Sequence, residues 1–185
     1  MENAVFEVIM ARRSIRSYQE KPVERETLVR LLEAGMAAPS ACNLQPWEFI
    51  VVTEKERMDA LRRLCHQGDY NAPAAVVFCG SPSHIPWEGD GWMIDCSMAA
   101  ENMLLAAQAM GLGSVCIGGF DGTGLRELLR IPSKVIPMMV VYFGYPAEEK
   151  LPRTYYDEMA VYWESYDPER RRSMRTLDML YDNLP

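Results

Sequence analysis

The stretch MIDCSMAAENMLLAAQAM, residues 93–110, sets the architecture of this 185-residue chain. Its charged side chains are Asp95 and Glu101 alone, and its pattern predicts a helix that is apolar around almost its whole circumference. Such a helix has to be buried. In a chain of this length, it is either the central helix of the domain or a helix that a second subunit covers.

Apolar runs on either side of this segment predict the strands of one sheet. The predicted strands are PWEFIVVT (46–53), PAAVVFCG (73–80), GSVCIGGF (113–120) and PMMVVYFGY (137–145). Helical spacing of apolar residues predicts further helices over residues 2–13, 23–38, 54–65 and 121–131, and a last helix opened by Asp167 and Pro168. Because helices and strands do not alternate strictly, we expect an α+β fold with one central sheet and helices on both faces.

The composition argues against several classes of protein. A net charge of −7 and an isoelectric point near 4.9 disfavour nucleic acid or an anionic membrane surface as a partner. No apolar run reaches the ~20 residues that span a bilayer, and the acidic start does not resemble a signal peptide. The five cysteines are widely spaced and form no CxxC pair. They are predicted to be free core thiols of a cytoplasmic protein.

The sequence does not match the common motifs for binding nucleotides or metals. The glycines of GLGSVCIGG (111–119) follow a helix and precede a strand, the reverse of their order in a dinucleotide-binding turn. His84, Glu88 and Asp90 are loose candidates for metal ligands, but a catalytic zinc normally takes three protein ligands. We therefore predict no metal site. We also predict no side-chain nucleophile, since neither histidine is marked as a base for a thiol.

The segment MARRSIRSYQE (10–20) gathers three arginines in an otherwise acidic chain. One interpretation is that Arg12 and Arg13 end a helix, where cations are favoured by ~0.3–1 kcal/mol. The other is that arginine and hydroxyl donors on a short turn surround one phosphate through charge-assisted hydrogen bonds. The first interpretation leaves Ser14, Arg16 and Ser17 unexplained. The local sequence leaves both open.

Two further segments have the composition of a ligand site. In APSACNLQPWEF (38–49), two prolines keep the backbone extended and Ser40, Asn43 and Gln45 supply polar side chains, although an ordinary helix-to-strand turn uses the same residues. In CIGGF (116–120), the glycine pair allows a planar ligand to approach the backbone N–H groups, whereas the alternative is a tight turn.

Together these segments resemble the flavin mononucleotide (FMN)-dependent nitroreductase family. RRSIRSY, APSACNLQPWEF and AAQAMGLGSVCIGGF carry the resemblance, and YFGYPAEEKLPR is similar to the closing element of the family. The resemblance covers residues 1–155, which we expect to form the FMN-binding domain. Residues 156–185 are expected to form a C-terminal extension that packs on the domain or on the partner subunit.

The resemblance implies a three-layer fold with a mixed or antiparallel sheet, assembled as an intertwined homodimer with two FMN sites at the interface. It places Arg12 and Ser14 on the phosphate side, with Arg13 in the same cluster, and Arg16 at the N1–C2=O edge of the ring. Ile117, Gly118 and Gly119 would face the ring, and Arg153 would return to the phosphate. Pro39, Ser40, Asn43 and, close behind them, Gln45 would come from the other subunit.

The implied reaction is a ping-pong hydride transfer from NADH or NADPH through flavin N5 to an electron-poor small molecule, such as a nitroaromatic compound or a quinone. The Pro- and Gly-rich segment 81–92 is expected to be a loop that shapes the choice of acceptor. Three alternatives stay open. They are a flavin-dependent dehalogenase or dehydrogenase of the same family, a flavin-binding carrier without turnover, and a globular protein that binds another anion.

Overall fold

A computed structural model describes residues 3–81, 89–151 and 156–170 of the chain. The chain divides into two compact units, residues 1–151 and 152–185. The helices of the first unit are α1 (Ala4–Ala11), α2 (Arg25–Met36), α3 (Lys55–Leu64), α4 (Gly91–Ala109) and α5 (Gly122–Leu129). Its strands are β1 (Trp47–Val52), β2 (Ala74–Gly80), β3 (Gly113–Ile117) and β4 (Ile136–Gly144). The predicted α+β fold is confirmed.

The four strands form one antiparallel sheet in the order β1-β2-β4-β3. In this order β2 and β4 are central, and all seven residues of β2 are buried. The continuous apolar run of β2 is explained by this position, because both of its faces are covered. Strand β3 is an edge strand, and its free edge is where the candidate site begins.

Helices cover both faces of the sheet and make three layers. Phe78 and Phe143 point to the face on which α2 and α4 pack, whereas Val77 and Tyr142 point to the face covered by α3 and α5. Successive strand residues point to opposite faces, so neighbouring positions belong to different cores. The long apolar helix lies between the sheet and α1.

Helix α4 is buried on one side only within the protomer. Ile94 is 60% exposed and Met98 is 43% exposed. Helix α1, which packs on α4, has no buried residue, and its Phe6 is 61% exposed. A central position in the domain therefore accounts for only one side of the apolar helix, and the outer side is left to the other predicted alternative, cover by a second subunit. The exposed apolar side chains of that side and of α1 are here called the α1/α4 face, made of Val5, Phe6, Ile9, Met10, Met93, Ile94 and Met98.

Other predictions need smaller corrections. Three cysteines are buried, but Cys42 and Cys116 are exposed, so the prediction that all five are core thiols is wrong. Cys42 lies in an open turn and Cys116 on the edge strand, neither of which a second layer covers. The last helix does not open at Asp167 and Pro168 as predicted, because residues 167–170 form a turn, in which the Arg170 N–H donates to the Asp167 carbonyl oxygen. The rest of the predicted helix, and position 155 of the predicted domain boundary, lie outside the described residues.

The described part of the second unit, residues 156–170, contains a 3₁₀ turn at Glu158–Ala160. The Arg170 guanidinium donates to the carbonyl oxygens of Val161 and Glu158, at 2.7 and 2.6 Å, and lies 4.9 Å from the ring centroid of Tyr162. Across the described parts of both units, no helix has the length and apolar character needed to cross a membrane.

Candidate functional site

The arginine segment is an extended strip along the free edge of β3. Helix α1 ends at Ala11, and the Ile15 N–H donates to the Ser114 carbonyl oxygen at 3.0 Å, next to a parallel bridge between Ser14 and Ser114. We call residues 12–18 the arginine strip. The helix-end interpretation therefore accounts only for Arg12, which caps α1, because Arg13 and Arg16 lie beyond it.

The other edge of the arginine strip is held by residues 145–151. The Ala147 N–H donates to the Ser17 carbonyl oxygen at 2.9 Å. One carboxylate oxygen of Glu148 accepts the N–H groups of both Arg16 and Ser17, and Lys150 Nζ donates to the Ser14 carbonyl oxygen at 2.9 Å. Lys150 also pairs with Glu148 at 3.0 Å. The strip is thus fixed on both sides like an inner strand.

The pKa of Glu148 lies below the usual value for a glutamate. Partial burial alone would raise its pKa, but hydrogen bonds from the Arg16 and Ser17 amides and from Lys150, together with the Lys150 charge, lower the pKa overall. The carboxylate is therefore charged at neutral pH, when it holds the arginine strip.

A third support comes from the segment before β2. The Asn71 side chain accepts from the Tyr18 N–H at 2.9 Å and donates to the Tyr18 carbonyl oxygen at 2.7 Å, as a neighbouring strand would do. The Tyr18 hydroxyl donates to the Ile15 carbonyl oxygen at 2.6 Å. Burial, followed by the Glu148 charge, raises the pKa of Tyr18, so the hydroxyl keeps the proton that it donates.

Extended backbone places alternate side chains of the arginine strip on opposite faces. Arg13 and Ile15 line a cavity of about 550 Å³, and the Arg13 guanidinium donates to the carbonyl oxygens of Arg12 and Leu151. Arg12, Ser14 and Arg16 belong to the other face. There, Arg12 Nε lies 3.8 Å from a Glu101 carboxylate oxygen on α4. Arg16 is exposed, with its guanidinium 5.9 Å from the ring centroid of Tyr70.

The second predicted group forms a turn between α2 and β1, here called the Pro39–Gln45 turn. Cys42, Asn43 and Gln45 have positive φ angles of 49°, 56° and 50°. Inside the turn, the Ser40 hydroxyl accepts from the Gln45 N–H at 3.0 Å, and the Gln45 side chain donates to that of Asn43 at 3.3 Å. Its polar side chains lie at the protein surface and are largely accessible.

The glycine pair follows directly after β3. Ile117 is buried, whereas Gly118 and Gly119 are exposed. Among the described residues, no hydrogen bond engages the N–H of either glycine. No atom lies within 4 Å of the position that a Cβ would take on Gly118, so its surface is open to a flat ligand.

The fold brings the arginine strip and the glycine pair together. An isolated parallel bridge joins Ser14 to Ser114, so the arginine strip runs beside β3, the strand that ends at Ile117 just before the glycine pair. The Pro39–Gln45 turn is not joined to them by any hydrogen bond or ion pair within residues 3–81 and 89–151. The Pro39–Gln45 turn contacts α4 at Asp95, whereas Arg12 contacts α4 at Glu101. Six residues separate these contacts by about 9 Å along the helix and about 120° around it.

Sequence reasoning missed four residues that shape this region, listed here as Asn71, Asp95, Glu148 and Lys150. Asp95 carried a signal, because it is one of the two charges of an apolar helix. Asn71 carried none, since its role depends on Tyr18, 53 residues away. Arg153, His84 and Glu88 lie outside the described residues, and the described ones contain no cluster of His, Cys, Asp and Glu that could hold a metal.

Known proteins resemble this chain in sequence and in fold. The chain matches the sequence profile of the nitroreductase family over residues 9–77 and 71–145. An Archaeoglobus fulgidus protein, provisionally named NADH dehydrogenase/NAD(P)H nitroreductase, is 42% identical over 78% of this chain and 87% of its own.

The chain belongs to the nitroreductase family.

Other family members carry more specific names. The Bacillus subtilis FMN reductase [NAD(P)H] is 31% identical over 93% of this chain and 83% of its own. The structure of an FMN-dependent nitroreductase from Clostridium difficile superposes with a TM-score of 0.77 at 33% identity, covering 86% of this chain and 98% of that one. The predicted three-layer nitroreductase-like fold is thus confirmed, with a sheet that is antiparallel throughout.

Proposed function

We propose that this nitroreductase-family chain is an FMN-dependent oxidoreductase that transfers hydride from NADH or NADPH to an electron-poor acceptor in a ping-pong sequence. The observation that carries the proposal is the arginine strip, which brings Arg12, Ser14 and Arg16 to the edge of the strand that ends at the open glycine pair. The names of the Bacillus subtilis and Clostridium difficile relatives support FMN as the cofactor.

The donor set fits the phosphate end of FMN. Guanidinium groups and a hydroxyl bind a phosphate dianion through charge-assisted hydrogen bonds, which explains basic residues in a chain of net charge −7. Arg12 and Ser14 would hold the phosphate, and Arg13 and Arg153 are further predicted members. Lys150, whose ammonium group lies 2.9 Å from the Ser14 carbonyl oxygen, adds positive charge at the same place.

The glycine pair fits the flat end of FMN. Gly118 presents open backbone, and the N–H groups of Gly118 and Gly119 are donors without a described partner. Arg16 would lie at the N1–C2=O edge, where a cation favours the negative charge of a reduced ring. When bound, FMN would supply the redox chemistry of hydride transfer.

The chain's side chains would bind and orient the cofactor rather than attack the substrate. Cys79 and Cys96 are buried, and burial raises the pKa values of their thiols to about 11 and about 12. Such thiols stay protonated at neutral pH and are poor nucleophiles. Free thiols also support a cytoplasmic location.

We further propose a homodimer with two FMN sites at the interface. The α1/α4 face exposes many large apolar side chains on two packed helices, as protein interfaces do. The Pro39–Gln45 turn borders it, since Asp95 and Ile94 on α4 line one groove with Pro39 and Ser40. From this position, Pro39, Ser40, Asn43 and Gln45 of one subunit would complete the site formed by the arginine strip of the other.

The first experiment is to purify the protein, record its visible absorbance, release the chromophore by heat and identify it. We expect FMN at about one per chain, bleached anaerobically by NADH or NADPH and restored by a nitroaromatic compound or a quinone. A yellow protein that neither nucleotide bleaches would be a flavin carrier instead. A colourless protein that takes up no added FMN would overturn the proposal.

A further inference from the structure

Asp95 is a buried carboxylate on α4, the long apolar helix. Asp95 is only 5% exposed, and both of its carboxylate oxygens lie 3.2 Å from the Ala41 backbone nitrogen. Among the described residues no lysine or arginine pairs with it. A buried carboxylate is costly unless it accepts hydrogen bonds, so its one donor among residues 3–81 and 89–151 is informative.

That donor lies in the Pro39–Gln45 turn, which is otherwise self-contained. The described hydrogen bonds of residues 40–45 are internal to the turn, apart from the one to Asp95. The turn also contains three non-glycine residues in the left-handed region, a conformation that persists only where surrounding contacts impose it. Asp95 is therefore the one described polar anchor between this turn and the body of the protein.

We propose that Asp95 is a positioning residue for the cofactor site, because it fixes the turn that carries Ser40, Asn43 and Gln45. It does not touch the cofactor itself and acts through the Ala41 N–H. The expected effect on FMN affinity rests on the proposed function. The anchoring of the turn can be measured without any cofactor.

The location of the anchor explains why an apolar helix keeps a charge. Ile94 and Met98 flank Asp95 on the exposed side of α4, so the same helix presents the α1/α4 face and holds the turn. If the homodimer forms through this face, Asp95 sets the turn at a fixed position relative to the subunit boundary. The polar side chains of the turn would then reach the opposite site already ordered.

Hydrogen–deuterium exchange of the FMN-free protein tests the anchor directly. Asp95→Ala removes both acceptor oxygens, and we expect the amides of Ala41 and of residues 43–45 to exchange about tenfold faster, since a hydrogen bond to a charged group is lost. Asp95→Asn keeps the shape and one acceptor oxygen and should stay within about threefold of the wild type. Ser97→Ala, on the exposed side of the same helix, is the matched control.

FMN affinity is the second measurement, made by fluorescence titration of the same variants. We expect the FMN Kd to rise about tenfold in Asp95→Ala, with Asp95→Asn and Ser97→Ala close to the wild type. Should Asp95→Ala fail to fold because of its cavity, Asp95→Leu removes the acceptors while filling the volume. The expected results for Asp95→Leu are the same.

The two measurements separate the two proposals. If the wild type binds no FMN, the proposed function fails, and the exchange data still decide whether Asp95 holds the turn. If Asp95→Ala or Asp95→Leu leaves both the exchange of the turn and the FMN Kd unchanged, the positioning role is wrong. A fall in melting temperature without selective exchange in the turn would also overturn it, because Asp95 would then serve packing alone.

Discussion

The arginine strip and the Pro39–Gln45 turn are two parts of one proposed site, yet the protein holds them in different ways. The strip is bonded along both edges, to β3 through Ser114 and to residues 145–151 through Glu148 and Lys150. The turn has one described polar bond to the rest of the chain, through Asp95.

One protomer forms the arginine strip by itself, whereas the Pro39–Gln45 turn needs support from elsewhere. The strip behaves as an additional strand, so its shape is secured by the fold of residues 3–151. The turn is exposed and has strained backbone, so its shape depends on α4 and, in the proposed homodimer, on the partner. Damage to the interface should therefore abolish cofactor binding while the strip remains folded.

Ile94→Glu should have the largest effect. Ile94 is 60% exposed on the α1/α4 face, and a charge there would have to be buried in the proposed homodimer. We expect the dimer to dissociate, with a Kd for self-association raised at least about 100-fold, and FMN binding to be lost with it. Analytical ultracentrifugation and FMN titration measure the two effects.

The matched control for Ile94→Glu is Thr123→Glu, which adds the same charge to the exposed start of α5 on the opposite face of the sheet. It should leave the mass in solution and FMN binding unchanged. A dimer that survives Ile94→Glu would contradict the proposed interface. A monomer that still binds FMN fully would show that the turn is not needed from a partner.

Arg16→Ala tests the strip itself. Arg16 is exposed and its backbone, not its side chain, is bonded to Glu148, so the fold should survive the change. We expect FMN affinity to fall about tenfold or more, or reduction by NADH or NADPH to slow, because a cation at the ring is lost. Arg63→Ala, which removes an exposed arginine from α3, should behave as the wild type. Unchanged affinity and rate in Arg16→Ala would remove this residue from the site.

Glu148→Gln probes how firmly the outer edge of the strip is held. The lowered pKa of Glu148 means that its stabilisation is complete above the usual glutamate value of 4.5 and is lost as the pH falls through the lower folded-state pKa. We expect the variant to lose about 1 kcal/mol at neutral pH, with the difference from wild type shrinking below about pH 4.5. Urea unfolding at several pH values measures it. The control is the neighbouring Glu149→Gln, which should be as stable as the wild type at neutral pH, because no described hydrogen bond joins the Glu149 side chain to the strip.

Glu101→Gln should give the smallest change. Its carboxylate lies 3.8 Å from Arg12 Nε at a partly exposed position, and such pairs contribute about 0.5 kcal/mol or less. Loss of a negative charge beside the proposed phosphate site should nevertheless tighten FMN binding about twofold. Calorimetric titration would detect this. Weaker binding would mean that Glu101 orients Arg12 rather than competing with the phosphate.

Much of the fold was predictable from local sequence. The four strands and helices α1 to α5 were predicted within a few residues of their bounds, because apolar periodicity over ten to twenty residues reflects which side of an element is buried. The site was predictable only in part. Arg12, Ser14 and Arg16 were identified from composition and resemblance, but Asp95 and Asn71 were missed as structural supports, since each bonds a backbone group distant in sequence.

By itself, the sequence determined the number and type of these elements, and it showed that residues 93–110 need more cover than a small domain supplies. Only the tertiary structure decided the strand order, the pairing of Ser14 with Ser114, and the contact of Glu148 with Arg16, which are 132 residues apart. Periodicity records how buried a side chain is but not which distant chain segment covers it. Which segment covers a side chain depends on the packing of the whole sheet. The residues that hold the arginine strip and the Pro39–Gln45 turn therefore come together only when the chain folds.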